Sequence, residues 1–178
     1  MKTHQEITEV DRQFLAGGEV RWRGEESFTV EEALNNVRGP LIEAAGPTYG
    51  GFAFIDSSKL RKRMYVSDLV PDRNVDFAAD ATKMPFADNS VGSLFISCMP
   101  IDKRVQSLQE AERIIEDDGY LVWQGGYPTD VRKALDLNFV PKQASLREGY
   151  YLDIEDILAG AKEGIIWPSI IFQKKSNS

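Results

Sequence analysis

The chain has 178 residues, of which 42% are hydrophobic and 28% charged, and it carries a formal net charge of -7 with a pI near 4.8. That length fits one compact domain, and the ordinary balance of apolar and charged residues excludes a fibre or a disordered tail. The acidic charge argues against a phosphate-rich partner, because nucleic-acid binding usually needs a basic patch, so neither DNA nor RNA is an expected substrate.

The N-terminal sequence MKTHQEITEV has no apolar core of the kind a secretory leader needs, and a single cysteine, Cys98, has no internal disulfide partner. No apolar run approaches the ~20 residues that span a bilayer. The expectation is a cytoplasmic protein without a membrane segment, either a monomer or a homodimer. Residues 1–36 form a lead-in, in which His4, Phe14, Trp22 and Phe28 sit among many charges as either a flap over a cleft or a packed arm. Thr29 followed by Glu32 fits a capping box that opens a short helix, with Ala33, Leu34 and Val37 as its apolar stripe and Gly39-Pro40 as its stop.

From residue 37 to 178 short apolar runs alternate with helical segments, the pattern of repeated strand-helix-strand units around a mainly parallel sheet. The runs are Leu41 to Ala45, Met64 to Val66, Val75 to Ala79, Leu94 to Cys98, Tyr120 to Trp123 and Ile165 to Phe172. The clearest helix lies between Leu94 and Tyr120. Asp102 is its expected N-cap, Val105, Leu108, Glu112 and Ile115 share a face, and Gly119 ends it. Thr129 to Leu137 reads as a further helix and Asp153 to Leu158 as a short one. Pro168 cannot donate to a central ladder, so the last strand is expected near an edge or bulged there. The basic cluster Lys59, Arg61, Lys62 and Arg63 reads as a solvated face or a helix end.

Three strand ends carry the candidate chemistry. The turn after the first run reads Glu43, Ala44, Ala45, Gly46, Pro47, Thr48, and small residues there let a ligand approach the backbone at the carboxyl end of a parallel strand. Asp68 closes the run MYVSD, where a carboxylate can accept from two ribose hydroxyls, and a solvated loop aspartate is the plain alternative. The stretch ADATKMPFADNSVGSLFIS then sets Asp80, a tight loop and an apolar strand in fixed order.

That stretch resembles the adenine-pocket segment of class I S-adenosylmethionine-dependent methyltransferases, especially their small-molecule branch. The Glu43 to Thr48 segment is similar to the first motif of that superfamily, an acidic residue and then glycine, any residue, glycine, with Ala45 in place of the first glycine and Pro47 in place of the second. Arg113 to Gly126, reading RIIEDDGYLVWQGG, is similar to its helix-turn-strand, with Glu116, Asp117 and Asp118 in what reads as a surface turn. The resemblance covers about residues 37 to 175. It implies a single-domain Rossmann-like α/β fold with a mainly parallel seven-stranded sheet, an antiparallel C-terminal strand and helices on both faces.

It also implies a cofactor, S-adenosylmethionine, and residues to hold it. Glu43, Ala45, Gly46, Pro47 and Thr48 would lie near the methionine part, Asp68 and Leu69 near the ribose, and Asp80, Ala81 and Thr82 at the adenine. Met84, Phe86, Leu69 and Val70 are candidates for an apolar clamp on the ring, or else plain core. Ser97 and Cys98 would floor the acceptor cleft, Cys98 being either a nucleophile or a buried structural thiol. No catalytic residue is assigned and no metal is expected, since a sulfonium methyl is already activated and positioning alone can supply ~7–11 kcal/mol. No GKS or GKT loop, HExxH, CxxC or G-x-S-x-G motif points to another chemistry. The implied activity is methyl transfer to a small-molecule acceptor. The altered glycine loop leaves open an inactive methyltransferase-like binding or scaffold protein, and a nicotinamide-dependent oxidoreductase lacks its glycine fingerprint.

Overall fold

The computed structural model describes residues 19–20, 29–44, 55–70, 75–97, 99–124, 128–145, 149–150 and 169–176. Its strands are β1 (Glu19–Val20), β2 (Leu41–Ala44), β3 (Met64–Asp68), β4 (Phe77–Ala78), β5 (Val91–Ile96), β6 (Ile115–Gln124), β7 (Phe139–Ser145), β8 (Gly149–Tyr150) and β9 (Ser169–Lys174). Its α-helices are α1 (Val30–Asn36), α2 (Arg104–Ile114) and α3 (Pro128–Asp136). Seven strands make one sheet in the order β4-β3-β2-β5-β6-β9-β7, and β1 pairs with β8 in a separate two-stranded ribbon. The pairs from β4 across to β6 are parallel, and β9 runs antiparallel to both β6 and β7.

Side chains alternate across this sheet with the period of two that a strand imposes. Ile42, Leu94, Ile96, Leu121, Trp123, Ile170 and Phe172 face one way, where Leu108, Ala111 and Ile114 of α2 and Val131 and Ala134 of α3 cover them. Leu41, Phe95, Tyr120, Val122 and Ile171 face the other way and pack against Val30, Leu34 and Val37 at α1. The central strand β5 is buried along its whole length, as a parallel strand covered on both sides should be. Helices therefore lie on both faces of a mainly parallel sheet, the architecture expected from the alternating runs.

Three glycines let the amino ends of these layers meet. A Cβ on Gly92 would stand 2.5 Å from Val37 Cγ2 and 2.6 Å from the Gly39 carbonyl oxygen, and one on Gly119 would stand 2.6 Å from the Gly92 carbonyl oxygen. Glu116 fixes the same junction. Its carboxylate accepts from the backbone N–H groups of Arg38 (2.6 Å) and Gly39 (3.0 Å), while the Lys62 ammonium donates to the Val37, Arg38 and Gly39 carbonyls beyond the end of α1. Gly92→Ala is accordingly expected to lower stability by about 1–3 kcal/mol through overpacking. A urea melt checks this, the midpoint falling at unchanged slope.

Several expectations need correction. Lys103, not Asp102, precedes α2, because residues 101–103 form a 3-10 turn ahead of it. Ile115 already belongs to β6 and Gly119 lies inside that strand, since β6 pairs at Val91↔Ile115, bulges, and pairs again at Ser93↔Tyr120. Asp118 occupies the bulge with φ 63. Val105 is half exposed, and the buried stripe of α2 runs through Arg104, Ser107, Leu108, Ala111 and Ile114 instead. Glu116 is buried as a hydrogen-bond acceptor rather than set in a surface turn. Thr29 does precede α1, but its side chain makes no capping bond. The run at residues 75–79 shrinks to the two-residue β4 at the sheet edge, and the last strand starts at Ser169, one position inside the edge strand β7. The helix expected at residues 153–158 and the N-terminal arm before residue 19 lie outside the described residues.

Candidate functional site

Strands β2 and β5 are neighbours, and the chain leaves β2 toward β3 and β4 on one side and β5 toward β6 on the other. Ligands in open α/β sheets settle in the crevice beyond the carboxyl ends at such a reversal. Here that edge is formed by Ala44 at the tip of β2, Asp68 at the tip of β3, and Ser97 just past β5. Glu43, on the α1 side of β2, is 3% exposed, and its carbonyl accepts from the Ser67 hydroxyl at 3.1 Å. Ala45, Gly46, Pro47, Thr48 and Cys98 lie outside the described residues.

Asp68 is half-buried, and its Oδ1 accepts from the Val70 N–H at 2.9 Å. That bond turns the chain sharply and leaves Leu69 and Val70, 68% and 69% exposed, standing open beside it. Two adjacent aliphatic side chains so far out of the core offer a surface to an apolar ring. The Asp68 carbonyl accepts from Ala79 N–H at 2.9 Å, which holds the end of β4 against β3 and brings Asp80 to the neighbouring tip.

Asp80 opens a tight turn. Its Oδ1 accepts from both the backbone N–H (2.8 Å) and the hydroxyl (2.7 Å) of Thr82, and its carbonyl accepts from Lys83 N–H at 2.8 Å. This is the local bonding that makes aspartate a turn residue. Among the described residues, Oδ2 has no hydrogen-bond partner. The Thr82 N–H, then the Thr82 hydroxyl, with a smaller contribution from the charge of Lys103, hold the Asp80 carboxyl below its ordinary range against a slight opposing effect of burial. Asp80 is therefore an exposed carboxylate at neutral pH, while Ala81 beneath it is buried. Met84 is buried in the core and Phe86 only partly so, its ring edge-on to Phe77 at 5.9 Å.

What holds this turn in place comes from far along the chain. Glu110 and Arg113, one helical turn apart on α2, clamp the loop that follows it. Glu110 Oε1 accepts from Met84 N–H at 2.6 Å and from Arg113 at 2.7 Å, while Arg113 also donates to the Phe86 carbonyl (2.9 Å) and to Asp88 (2.7 Å). The Glu110 carboxylate first, and then that of Asp88, raises the guanidinium pKa above its ordinary value. The signal available was a glutamate and an arginine spaced to lie side by side on a helix whose neighbours at Leu108, Ala111 and Ile114 point inward.

A second pair was equally invisible. Arg104, at the start of α2, and Asp130, in the first turn of α3, meet at 2.5 Å with their side chains 7% and 6% exposed. Arg104 Nε donates to the Met99 carbonyl at 3.0 Å, so one guanidinium ties the segment after β5 to the helix after β6. Ser97 is buried at the head of that segment. An open cavity of about 520 Å³ is lined by Pro40, Ile42, Tyr65, Phe77, Pro85 and Phe86. It lies on the sheet face over β2, β3 and β4 rather than at the carboxyl edge, and neither Asp68 nor Asp80 lines it. Among the described residues no group of His, Cys, Asp and Glu is arranged to hold a metal, and no helix is long and apolar enough to cross a membrane.

No protein family matches the sequence, and no curated protein matches it either. Solved structures do. A TehB-like SAM-dependent methyltransferase from Corynebacterium glutamicum matches with TM-score 0.53 at 15% identity, over 96% of this chain and 97% of that one. Geranyl diphosphate C-methyltransferase from Streptomyces coelicolor, solved with Mg2+, geranyl diphosphate and S-adenosyl-L-homocysteine, matches with TM-score 0.52 at 14% identity, over 82% and 78%. A SAM-dependent methyltransferase from Mesorhizobium loti matches with TM-score 0.51 at 12% identity, over 78% and 92%. At such identities the likeness is one of architecture: the chain has the fold of class I SAM-dependent methyltransferases.

Proposed function

We propose that the protein is an S-adenosylmethionine-dependent methyltransferase acting on a small molecule, with the cofactor along the carboxyl edge of β2, β3 and β4. The observation that carries this reading is the pair of carboxylates on adjoining strand tips, Asp68 and Asp80, with Asp80 Oδ2 uncommitted among the described residues and Leu69 and Val70 exposed between them. Asp68 accepts from the ribose hydroxyls, Asp80 Oδ2 accepts from the exocyclic amine of adenine, and the Ala81–Thr82 backbone meets the ring edge. The cofactor supplies a methyl group already activated on a sulfonium, so the protein's task is to hold an acceptor in line with it and keep water away. Glu43, with Gly46 and Thr48 beyond it, is assigned to the methionine end, and Ser97 and Cys98 to the floor beside the methyl. The acidic charge of the chain supports a small-molecule acceptor over a nucleic acid.

Isothermal calorimetry with S-adenosylhomocysteine tests the reading. Saturable one-to-one binding is expected, and silence at millimolar ligand overturns it. A second reading, a cofactor-binding protein without turnover, is favoured by Ala45 and Pro47, which narrow the room for backbone approach and remove one N–H donor. Release of S-adenosylhomocysteine from S-adenosylmethionine in the presence of an acceptor separates the two.

A further inference from the structure

On the α1 side of the sheet the core residues Leu41, Phe95, Tyr120, Val122 and Ile171 are apolar, and among the described residues the strand positions that follow toward the carboxyl edge, Glu43, Gln124 and Ser169, are polar. Two residues beyond Val122 on the same face stands Gln124, which pairs across the ladder with Ser169 of β9, and Ser97 follows directly on the end of β5. Ser97 is 3% exposed, and Gln124 and Ser169 are half-buried. A strand position following Tyr120 and Val122 at period two would ordinarily carry another apolar side chain. Gln124 carries a carboxamide there instead, and its Oε1 is buried without a hydrogen-bond partner among the described residues. Leaving a buried carbonyl oxygen unpaired destabilises a fold by roughly 1–3 kcal/mol. Asp117 Oδ1 and Trp123 Nε1 are likewise without partners among the described residues, and of the three Gln124 is the one at the carboxyl end of β6 on the α1 side of the sheet.

The position of that oxygen suits a substrate. Gln124 ends the strand next to β5, on the far side of β5 from the Asp68 and Asp80 tips. A ligand seated over Ser97 and Gln124 is therefore beside the cofactor edge rather than in it. The Arg104 guanidinium, bonded to Asp130 and to the Met99 carbonyl, anchors the segment that carries Ser97. We propose that Gln124 is the acceptor-recognition residue, its carboxamide oxygen taking a hydrogen bond from an O–H or N–H of an uncharged methyl acceptor that lies over Ser97 and Ser169. This assignment rests on the methyltransferase reading and narrows it to neutral hydroxyl- or amide-bearing acceptors.

The test uses the full chain saturated with S-adenosylhomocysteine and a panel of phenols, primary alcohols and primary amides, with the matching carboxylates and phosphates as contrast. Binding is read by saturation-transfer NMR and ranked by titration. Neutral donors are expected to bind the wild type, to weaken about tenfold in Gln124→Leu, and to recover in Gln124→Glu, which still accepts a hydrogen bond. Calorimetry with S-adenosylhomocysteine is expected to be the same for all three proteins. Neutral donors that bind Gln124→Leu as tightly as the wild type, a panel in which only the anions bind, or a panel in which nothing binds each overturn the role of Gln124 while leaving the cofactor reading intact. Failure of the wild type to bind S-adenosylhomocysteine overturns the cofactor reading instead. Unfolding of Gln124→Leu, seen by circular dichroism, moves the comparison to Gln124→Met, for which the same loss is expected.

Discussion

Asp80→Ala is expected to weaken S-adenosylhomocysteine binding by about 10- to 100-fold, because a hydrogen bond to a charged group is worth about 1.5–3 kcal/mol. The side chain has two jobs that the substitution removes together. Oδ2 is the acceptor offered to adenine, and Oδ1 accepts both bonds from Thr82 that shape the turn. Asp80→Asn separates them, since the amide oxygen can still cap Thr82 while the charge is gone, and a smaller loss is expected. Asp80 is exposed, so the thermal midpoint should fall only modestly in Asp80→Ala, through loss of the two Thr82 bonds, and less in Asp80→Asn, which keeps them. Equal affinity in wild type and Asp80→Ala would remove the adenine contact from the account.

Arg113→Met is expected to have the largest effect on folding, lowering stability by about 3 kcal/mol. Glu110 has a side chain only 10% exposed, and removing its guanidinium leaves a carboxylate bonded to Met84 N–H with no counter-charge, the situation that makes breaking an ion pair more costly than replacing it. Arg113 itself is 36% exposed, which places the loss at the lower end of the range for buried pairs. The carbonyls of Met84 and Phe86 lose a donor in the same step. Because these atoms hold the loop directly after the Asp80 turn, S-adenosylhomocysteine affinity should fall alongside stability. The double variant Glu110→Leu with Arg113→Met removes the stranded charge and should recover part of the stability in a chemical melt, but not the affinity. Recovery of both would show that the clamp has no bearing on the turn.

The features legible in the sequence were those that depend on near neighbours along the chain. Leu94, Phe95 and Ile96 announce a buried strand on their own, and Asp80 with Thr82 announces a turn, since each involves residues at most two apart. Asp68 is legible as the end of the run MYVSD, and Asp80 through the resemblance of its segment to the methyltransferase adenine pocket. What stayed hidden depends on partners far along the chain. β7 contains Pro141, Lys142 and Gln143 and shows little strand character until β9 is laid beside it, with Phe139 and Phe172 in ring contact at 6.3 Å. Glu116 looks like one of three acids in a surface turn until Arg38 and Gly39 are brought to it from 78 and 77 positions away. Lys174 is the same kind of case: the residue is 2% exposed, and Asn89 and the carbonyls of Glu112 and Ile115 receive its ammonium. Gly119, expected to end a helix, sits in β6, where a Cβ would stand 2.6 Å from the Gly92 carbonyl oxygen, a contact that no propensity encodes.

A crystal structure of the protein with S-adenosylhomocysteine measures directly where the nucleoside sits. The expected result is adenine within hydrogen-bonding distance of Asp80 Oδ2, ribose hydroxyls on the Asp68 carboxylate, and the sulfur facing Ser97. Density for the ligand in the cavity between Tyr65, Phe77 and Phe86, with Asp68 and Asp80 left in solvent, would contradict it.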